Sequence, residues 1–142
     1  MTRVAGILAL FVASAVAGTA SAQVSLKQIQ GRYTPAYGRC MAQPAAKSTL
    51  GMLNCVAAET RVQDQRLNAG YARLMRSMTP DERQRLQAAQ RAWIAYRDAD
   101  CAARVDPVQW GSLSRIDGSL CTLNRTVERT FELETFRSSG EG

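Results

Sequence analysis

The sequence contains no histidine, so the side chain that most often acts as a general base, a nucleophile activator or a metal ligand is missing. Triads of the Ser-His-Asp and Cys-His types are therefore excluded. Carboxylates two residues apart, as in Asp98/Asp100 and Glu132/Glu134, point to different faces of a helix and form no glycosidase-like pair. We predict a protein that is not an enzyme and that uses no cofactor.

The cysteines have the number and spacing of structural disulfides. Zinc sites normally use two closely spaced cysteine pairs, and redox sites favour Cys-x-x-Cys, but neither pattern occurs here. An even number of cysteines in an exported chain favours two disulfides, although sequence alone leaves three pairings open. We predict no metal site. The four disulfide-forming residues are Cys40, Cys55, Cys101 and Cys121.

Residues 1–22 have the pattern of a cleaved secretory signal peptide. Arg3 gives a positive start, an apolar run covers residues 4–16, and Ala20-Ser21-Ala22 matches the small residues that signal peptidase recognises. The apolar run is short for a membrane span, so cleavage is favoured over a retained anchor. No cysteine lies directly after the cleavage site to carry a lipid, since the first one is Cys40. We predict a periplasmic or secreted mature chain without a transmembrane segment.

Two long helices are predicted on either side of residue 79. From residue 48 to 78, apolar residues recur every three or four positions, as on one helix face, and Ser48 or Thr49 can cap the start of this helix. The positions on this face are Leu53, Ala57, Leu67, Tyr71, Leu74 and Met78. Thr79-Pro80-Asp81-Glu82 has the pattern of a capping box that begins a second helix. With almost no linker between them, the two helices are expected to form an antiparallel hairpin.

The rest of the chain is predicted to form a loop and a third helix. Asp106-Pro107 ends the second helix by about residue 105, and a loop rich in glycine follows to residue 118. The third helix covers residues 119–136, with an inward face of Leu120, Leu123, Val127 and Phe131. The predicted fold is all-α: a small, disulfide-stapled three-helix bundle built on a long antiparallel hairpin. This domain is placed at residues 48–137, between a basic, partly ordered segment (23–47) and a tail (138–142).

Polar residues lie beside the apolar stripes of the predicted hairpin. They are Asp64, Asn68, Gln90 and Arg97. Folding the chain about Thr79 brings Asn68 level with Gln90, and Asp64 within reach of Arg97. One interpretation is a structural network that fixes the register of the two helices, and the other is a functional groove. The network is favoured, because a buried polar group without a partner costs about 1–3 kcal/mol.

The predicted loop carries the candidate contact with a partner, namely Trp110, Ser112 and Arg115. A large aromatic residue on a loop is typical of a binding hot spot, although Trp110 can instead fold back over the open end of the bundle.

The basic residues before the domain suggest a second kind of partner. Residues 23–47 contain Lys27, Arg32, Arg39 and Lys47 and no acidic residue. Such a segment suits anionic components of the cell envelope. An alternative function is therefore a non-enzymatic structural or stress protein that binds anionic surface polymers. Nucleic-acid binding is not predicted.

The block Ala89-Gln90-Arg91-Ala92-Trp93-Ile94, followed by Tyr96-Arg97-Asp98-Ala99 and a cysteine, resembles the LprI-type lysozyme-inhibitor family. The resemblance extends over residues 40–135. It implies a small helical domain with four disulfide-forming cysteines, exported to the periplasm or cell surface, and lysozyme as a partner. The chain departs from the family where Trp110-Gly111-Ser112 replaces the usual Gly-Gly-Ser.

Overall fold

The computed structural model describes residues 24–136, so the predicted signal peptide (1–22) and tail (138–142) lie outside the described residues. The described chain is helical, without strands, and its two disulfides confirm the predicted all-α, disulfide-stapled class. No helix within residues 24–136 is long and apolar enough to cross a membrane. The elements are α1 (Leu26–Gln30), α2 (Pro35–Met41), a 3-10 helix (Pro44–Lys47), α3 (Thr49–Ser77), α4 (Pro80–Ala102), α5 (Pro107–Trp110) and α6 (Leu113–Thr135).

The two longest predicted helices begin where their capping signals place them. The Ser48 hydroxyl accepts a hydrogen bond from the Gly51 N–H at 3.1 Å and caps α3. At the start of α4, the Thr79 N–H donates to a Glu82 carboxylate oxygen at 2.9 Å, and the Glu82 N–H donates to the Thr79 hydroxyl. This reciprocal pair is the predicted capping box.

The core lies mainly between α3 and α6. Leu123 and Val127 of α6 are fully buried and pack with Val56 of α3 and Ile29 of α1. A second cluster joins the end of α3 to α4 and to the end of α6; its buried members are Leu67, Met78, Leu86 and Leu133. The third predicted helix therefore supplies the centre of the bundle, and residues of the N-terminal segment complete it.

The contact between α3 and α4 is looser than a closely packed hairpin. Helix α6 packs closely on α3 and more lightly on α4, whereas α3 and α4 make few close backbone contacts. The reason is that α4 has a narrow apolar face: only Leu86, Gln90 and Cys101 are buried, and Ile94 is 40 % exposed. The side chains of α3 and α4 therefore enclose an open groove.

Two local expectations are wrong. The inward face of α3 near its start is formed by Val56 and the polar residues Glu59 and Gln63, while Ala57 is exposed. The predicted loop contains α5 and the first turns of α6, where Gly118 is buried. A Cβ atom on Gly118 would meet the Val105 side chain at 2.6 Å, so this glycine permits close packing of α6 on the end of α4.

A pair of substitutions in α3 tests how tightly the 3-10 helix packs on it. A Cβ atom on Gly51 would overlap the backbone carbonyl of Ala45, whereas one on Gly70 meets nothing within 4 Å. Gly51→Ala is expected to lower the free energy of unfolding by about 1–3 kcal/mol. Gly70→Ala is expected to raise it by about 0.5–1 kcal/mol, because alanine restricts the unfolded chain. Urea denaturation of the oxidised proteins measures both, and equal shifts would contradict this packing.

Candidate functional site

The disulfides fasten the shorter and looser elements to the bundle. Cys40 of α2 pairs with Cys55 of α3, and Cys101 of α4 pairs with Cys121 of α6. The predicted disulfide-forming residues are confirmed, and the structure selects one of the three pairings. Asp100 lies close to the second disulfide, but both of its sulfurs are bonded to each other, so they offer no thiolate to a metal ion.

The groove between α3 and α4 brings the four predicted polar residues together. It encloses about 440 Å³ and combines amide, charged and aromatic side chains. Its walls are formed by Asp64, Leu67, Asn68 and Tyr71 of α3 and by Gln87, Gln90, Arg91, Trp93, Ile94 and Arg97 of α4.

Hydrogen bonds hold these polar residues in separate pairs. The Asn68 amide nitrogen donates to Asp64 at 3.1 Å, and the Gln90 side-chain oxygen accepts from Arg129 Nε at 3.0 Å. Arg97 Nε donates to the neighbouring Asp98 at 2.9 Å. Across the described residues, no hydrogen bond links the α3 pair to Gln90 or Arg97. The four residues therefore share a groove without forming one continuous network.

Two guanidinium groups lie over the indole ring of Trp93. The guanidinium carbon of Arg97 is 5.0 Å from the ring centroid, and that of Arg129 is 5.8 Å away. Their side chains are only 16 % and 15 % exposed. Cation–π attraction and packing thus fix both arginines beside the groove. Sequence reasoning gave Arg129 no role here, because nothing local shows that α6 supplies a partner for Gln90.

The α5 surface, defined by Val108, Trp110, Ser112, Leu113 and Arg115, presents apolar side chains to solvent. Val108 is 96 % exposed, Trp110 61 % and Leu113 58 %. The Ser112 hydroxyl lies 3.3 Å from that of Thr49, which ties this surface to the start of α3. Trp110 is thus not folded back over the end of the bundle, and its indole remains accessible.

Trp110 also forms one wall of an open cavity of about 440 Å³ whose far wall is α6. Arg125 on that wall bonds to Glu128 at 3.0 Å and to Asp100 at 3.2 Å. The hydrogen bond that Arg125 donates to Glu128 is the largest cause of the raised pKa of Arg125. Burial opposes the rise, and the hydrogen bond to Asp100 adds to it. The positive charge of Arg125 is thus already matched by two acids.

A buried carboxylate that sequence reasoning missed joins the N-terminal segment to α3. Glu59 is 2 % exposed and accepts hydrogen bonds from the Thr34 N–H at 2.9 Å, the Thr34 hydroxyl and the Gln63 amide. The pKa of the nearby Tyr33 is raised to about 12. The main cause is burial, and the neighbouring Tyr37 and Glu59 add to the rise. The Tyr33 phenol therefore stays protonated at neutral pH and donates to Asn124 of α6.

A comparison with protein families matches residues 40–133 to the family described as lysozyme inhibitor LprI. The chain belongs to the LprI family. An uncharacterized protein of Rhizobium meliloti is 28 % identical to this LprI-family chain over 109 residues, which cover 68 % of this chain and 78 % of the relative. No solved structure matches the chain. The predicted resemblance is thereby confirmed.

The LprI match includes both disulfides, the α3–α4 groove and the α5 surface. Thr34, the partner of Glu59, and Ile29, which enters the core, precede the matched residues. In this LprI-family chain, the region before the match therefore packs as part of the bundle.

Proposed function

We propose that this LprI-family protein acts outside the cytoplasm as a non-enzymatic inhibitor of a lysozyme. The observation that carries the proposal is the family match over residues 40–133. The two disulfides support an extracytoplasmic location, because such bonds persist mainly in oxidising compartments. The absence of histidine from the sequence supports a binding role over catalysis.

The α5 surface is the proposed contact with the lysozyme. Its exposed Trp110 can fill a sugar-binding cleft, and the exposed Arg115 can approach the carboxylates that lysozymes use in catalysis. Ser112 lies between them, beside the positive-φ residue Gly111 that ends α5.

Net charge sets which lysozyme is inhibited best. The whole chain has a net charge of +6, and removal of Arg3 with the signal leaves it one unit lower. Long-range repulsion therefore slows encounter with a strongly cationic lysozyme. We expect stronger inhibition of less cationic lysozymes, and we expect added salt to reduce the difference.

The test measures lysis of a peptidoglycan suspension by several lysozymes, with the oxidised mature protein added. Trp110→Ala is expected to weaken inhibition at least about tenfold, the effect of losing a hot-spot aromatic. Leu26→Ala is the matched control, because Leu26 is 56 % exposed but lies on α1, outside the family match. Folded wild-type protein that slows none of the lysozymes in molar excess would overturn the proposal. If Trp110→Ala inhibits lysozyme as strongly as the wild-type protein, the α5 surface is not the contact with lysozyme.

A second candidate function is binding to anionic envelope polymers. Lys27, Arg39 and Lys47 are exposed, and none forms an ion pair within residues 24–136, which favours this function. Replacing all three by glutamate is expected to abolish salt-sensitive binding to anionic vesicles. These substitutions keep Thr34 and Ile29, which pack against the bundle, whereas deletion of the segment would remove both. Unchanged vesicle binding would exclude this function for the segment.

A further inference from the structure

The α3–α4 groove has the features of a ligand site separate from the α5 surface. We propose that it binds the carboxyl-terminal end of a peptide, with an apolar last side chain. The groove encloses about 440 Å³, which is within the range of sites for small ligands. This inference does not depend on lysozyme inhibition.

The hydrogen bonds of Gln90 and Asn68 leave a donor on one wall of the groove and an acceptor on the other. Arg129 Nε donates to the Gln90 oxygen, which fixes the side-chain amide and leaves its nitrogen as a donor. Gln90 is 8 % exposed, so its position is well constrained. On the opposite wall, the Asn68 nitrogen donates to Asp64, which leaves the Asn68 oxygen as an acceptor. A donor on the α4 wall and an acceptor on the α3 wall can complement the C=O and N–H of a peptide bond.

The charges of the groove favour a ligand with a carboxylate. Arg97 binds Asp98 through Nε and Nη2 and retains Nη1 for a further hydrogen bond. Arg91 is exposed on the same wall and forms no ion pair within residues 24–136, so its charge and the Nη1 group of Arg97 are open to a carboxylate. Guanidinium groups bind carboxylates by charge-assisted hydrogen bonds.

Apolar side chains complete the site. Leu67 and Tyr71 on α3 and Ile94 on α4 line the groove beside the polar groups. Their surface suits one apolar side chain, so the groove offers partners for the amide, the carboxylate and the side chain of a peptide terminus.

A neutral glycan fits this groove less well than a peptide terminus. Sugars bind proteins by stacking on aromatic faces, but the guanidinium groups of Arg97 and Arg129 already lie over the Trp93 ring. A neutral glycan also leaves the positive charge of Arg91 and the free Nη1 group of Arg97 without a carboxylate. A peptide carboxylate uses these charges, and the observations therefore favour the peptide.

The first experiment titrates mature, oxidised Trp110→Phe protein and follows tryptophan fluorescence. The chain contains two tryptophans, so this variant leaves Trp93 as the reporter of the groove. The probes are N-acetyl-alanyl-leucine, its C-terminal amide, and the neutral trisaccharide of N-acetylglucosamine. We expect saturable binding of the acid and about tenfold weaker binding of the amide, since the amide lacks the charge-assisted hydrogen bond.

The variants locate the site. Arg97→Gln is expected to weaken binding of the acid about tenfold and to remove the preference for acid over amide. Gln90→Leu is expected to weaken both probes by a similar factor. Arg85→Gln is the matched control, because Arg85 is exposed on the same helix but does not line the groove. Calorimetry repeats each titration, because the Arg97 guanidinium lies over Trp93 and affects its fluorescence.

Three results would overturn the proposal. The first is equal binding of the acid and the amide, and the second is tighter binding of the trisaccharide. The third is no saturable binding of any probe to protein whose circular dichroism shows it folded. Loss of lysozyme inhibition in a Trp110 variant bears on the α5 surface alone, so the two proposals fail separately.

Discussion

Replacing Glu59 with leucine is expected to lower the free energy of unfolding by about 3 kcal/mol. The Glu59 side chain is 2 % exposed, and its carboxylate accepts hydrogen bonds from the Thr34 backbone, the Thr34 hydroxyl and the Gln63 amide. Leucine fills a similar space but removes the acceptor of the Thr34 N–H, of the Thr34 hydroxyl and of one Gln63 N–H, whereas Gln63 keeps its bond to the Arg32 carbonyl. An unsatisfied buried donor costs about 1–3 kcal/mol, which outweighs the added apolar contact.

Two variants bracket this result. Glu59→Gln keeps the shape and one acceptor oxygen of the side chain, so its expected cost is about 1 kcal/mol. Glu132→Leu removes a glutamate of α6 whose side chain is 55 % exposed, and its expected effect is below about 0.5 kcal/mol. Urea denaturation of the oxidised proteins compares all three. If Glu59→Leu proves as stable as Glu59→Gln, the carboxylate does not hold the N-terminal segment in this way.

Loss of the Glu59 carboxylate is expected to destabilise α1 and α2 before the other helices. Thr34 caps α2 and is bound by Glu59, while Gln63 and Arg66 donate to the Arg32 carbonyl at 2.8 and 2.9 Å. Hydrogen exchange in Glu59→Leu should therefore quicken at residues 26–41 more than in α6. Uniform quickening throughout the chain would argue for a global effect.

The helix starts could be predicted because they depend on residues adjacent in the chain. Ser48 and Thr79 accept hydrogen bonds from N–H groups three residues later, and capping patterns describe that geometry. The start of α6 lacks such a signal: Ser112 makes no capping hydrogen bond, and Gly118 suggested a loop. The role of Gly118 in close packing depends on Val105, which lies just beyond the end of α4.

The burial of Glu59 could not be predicted either, because its partner is distant in the sequence. A glutamate in an arginine-rich helix normally lies at the surface, since burying a charge without partners is costly. Its partner Thr34 is 25 residues away, in a segment whose charge pattern predicted only partial order. The boundary placed at residue 48 stays a prediction, but residues 24–47 contain α1, α2 and the 3-10 helix, and Ile29 is buried in the core.

The groove was anticipated only as a choice between two interpretations. Sequence spacing predicted that Asn68 lies level with Gln90, and both residues line the groove. Spacing could not show that Arg129 reaches Gln90 from α6, or that Arg97 binds its neighbour Asp98. Those two contacts take the place of hydrogen bonds across the groove, and so the groove stays open.

Replacing Cys101 and Cys121 by alanine is expected to lower the free energy of unfolding by about 3 kcal/mol. The disulfide restricts the unfolded chain across a separation of 20 residues and joins the end of α4 to α6. Helix α4 buries few other side chains, so losing this bond should also loosen its C-terminal half. The Trp93 wall of the groove is then expected to move, and the fluorescence of Trp93 should change before global unfolding.

Removal of the other disulfide is the matched comparison. Cys40 and Cys55 are 15 residues apart, so the chain-entropy contributions of the two bonds are nearly equal. The Glu59–Thr34 contact continues to hold α2 against α3 when this bond is absent. Cys40→Ala/Cys55→Ala should therefore lose similar global stability but keep the Trp93 signal, measured in the Trp110→Phe background. An early Trp93 change in both double variants would show that the groove depends on general stability and not on the bond between α4 and α6.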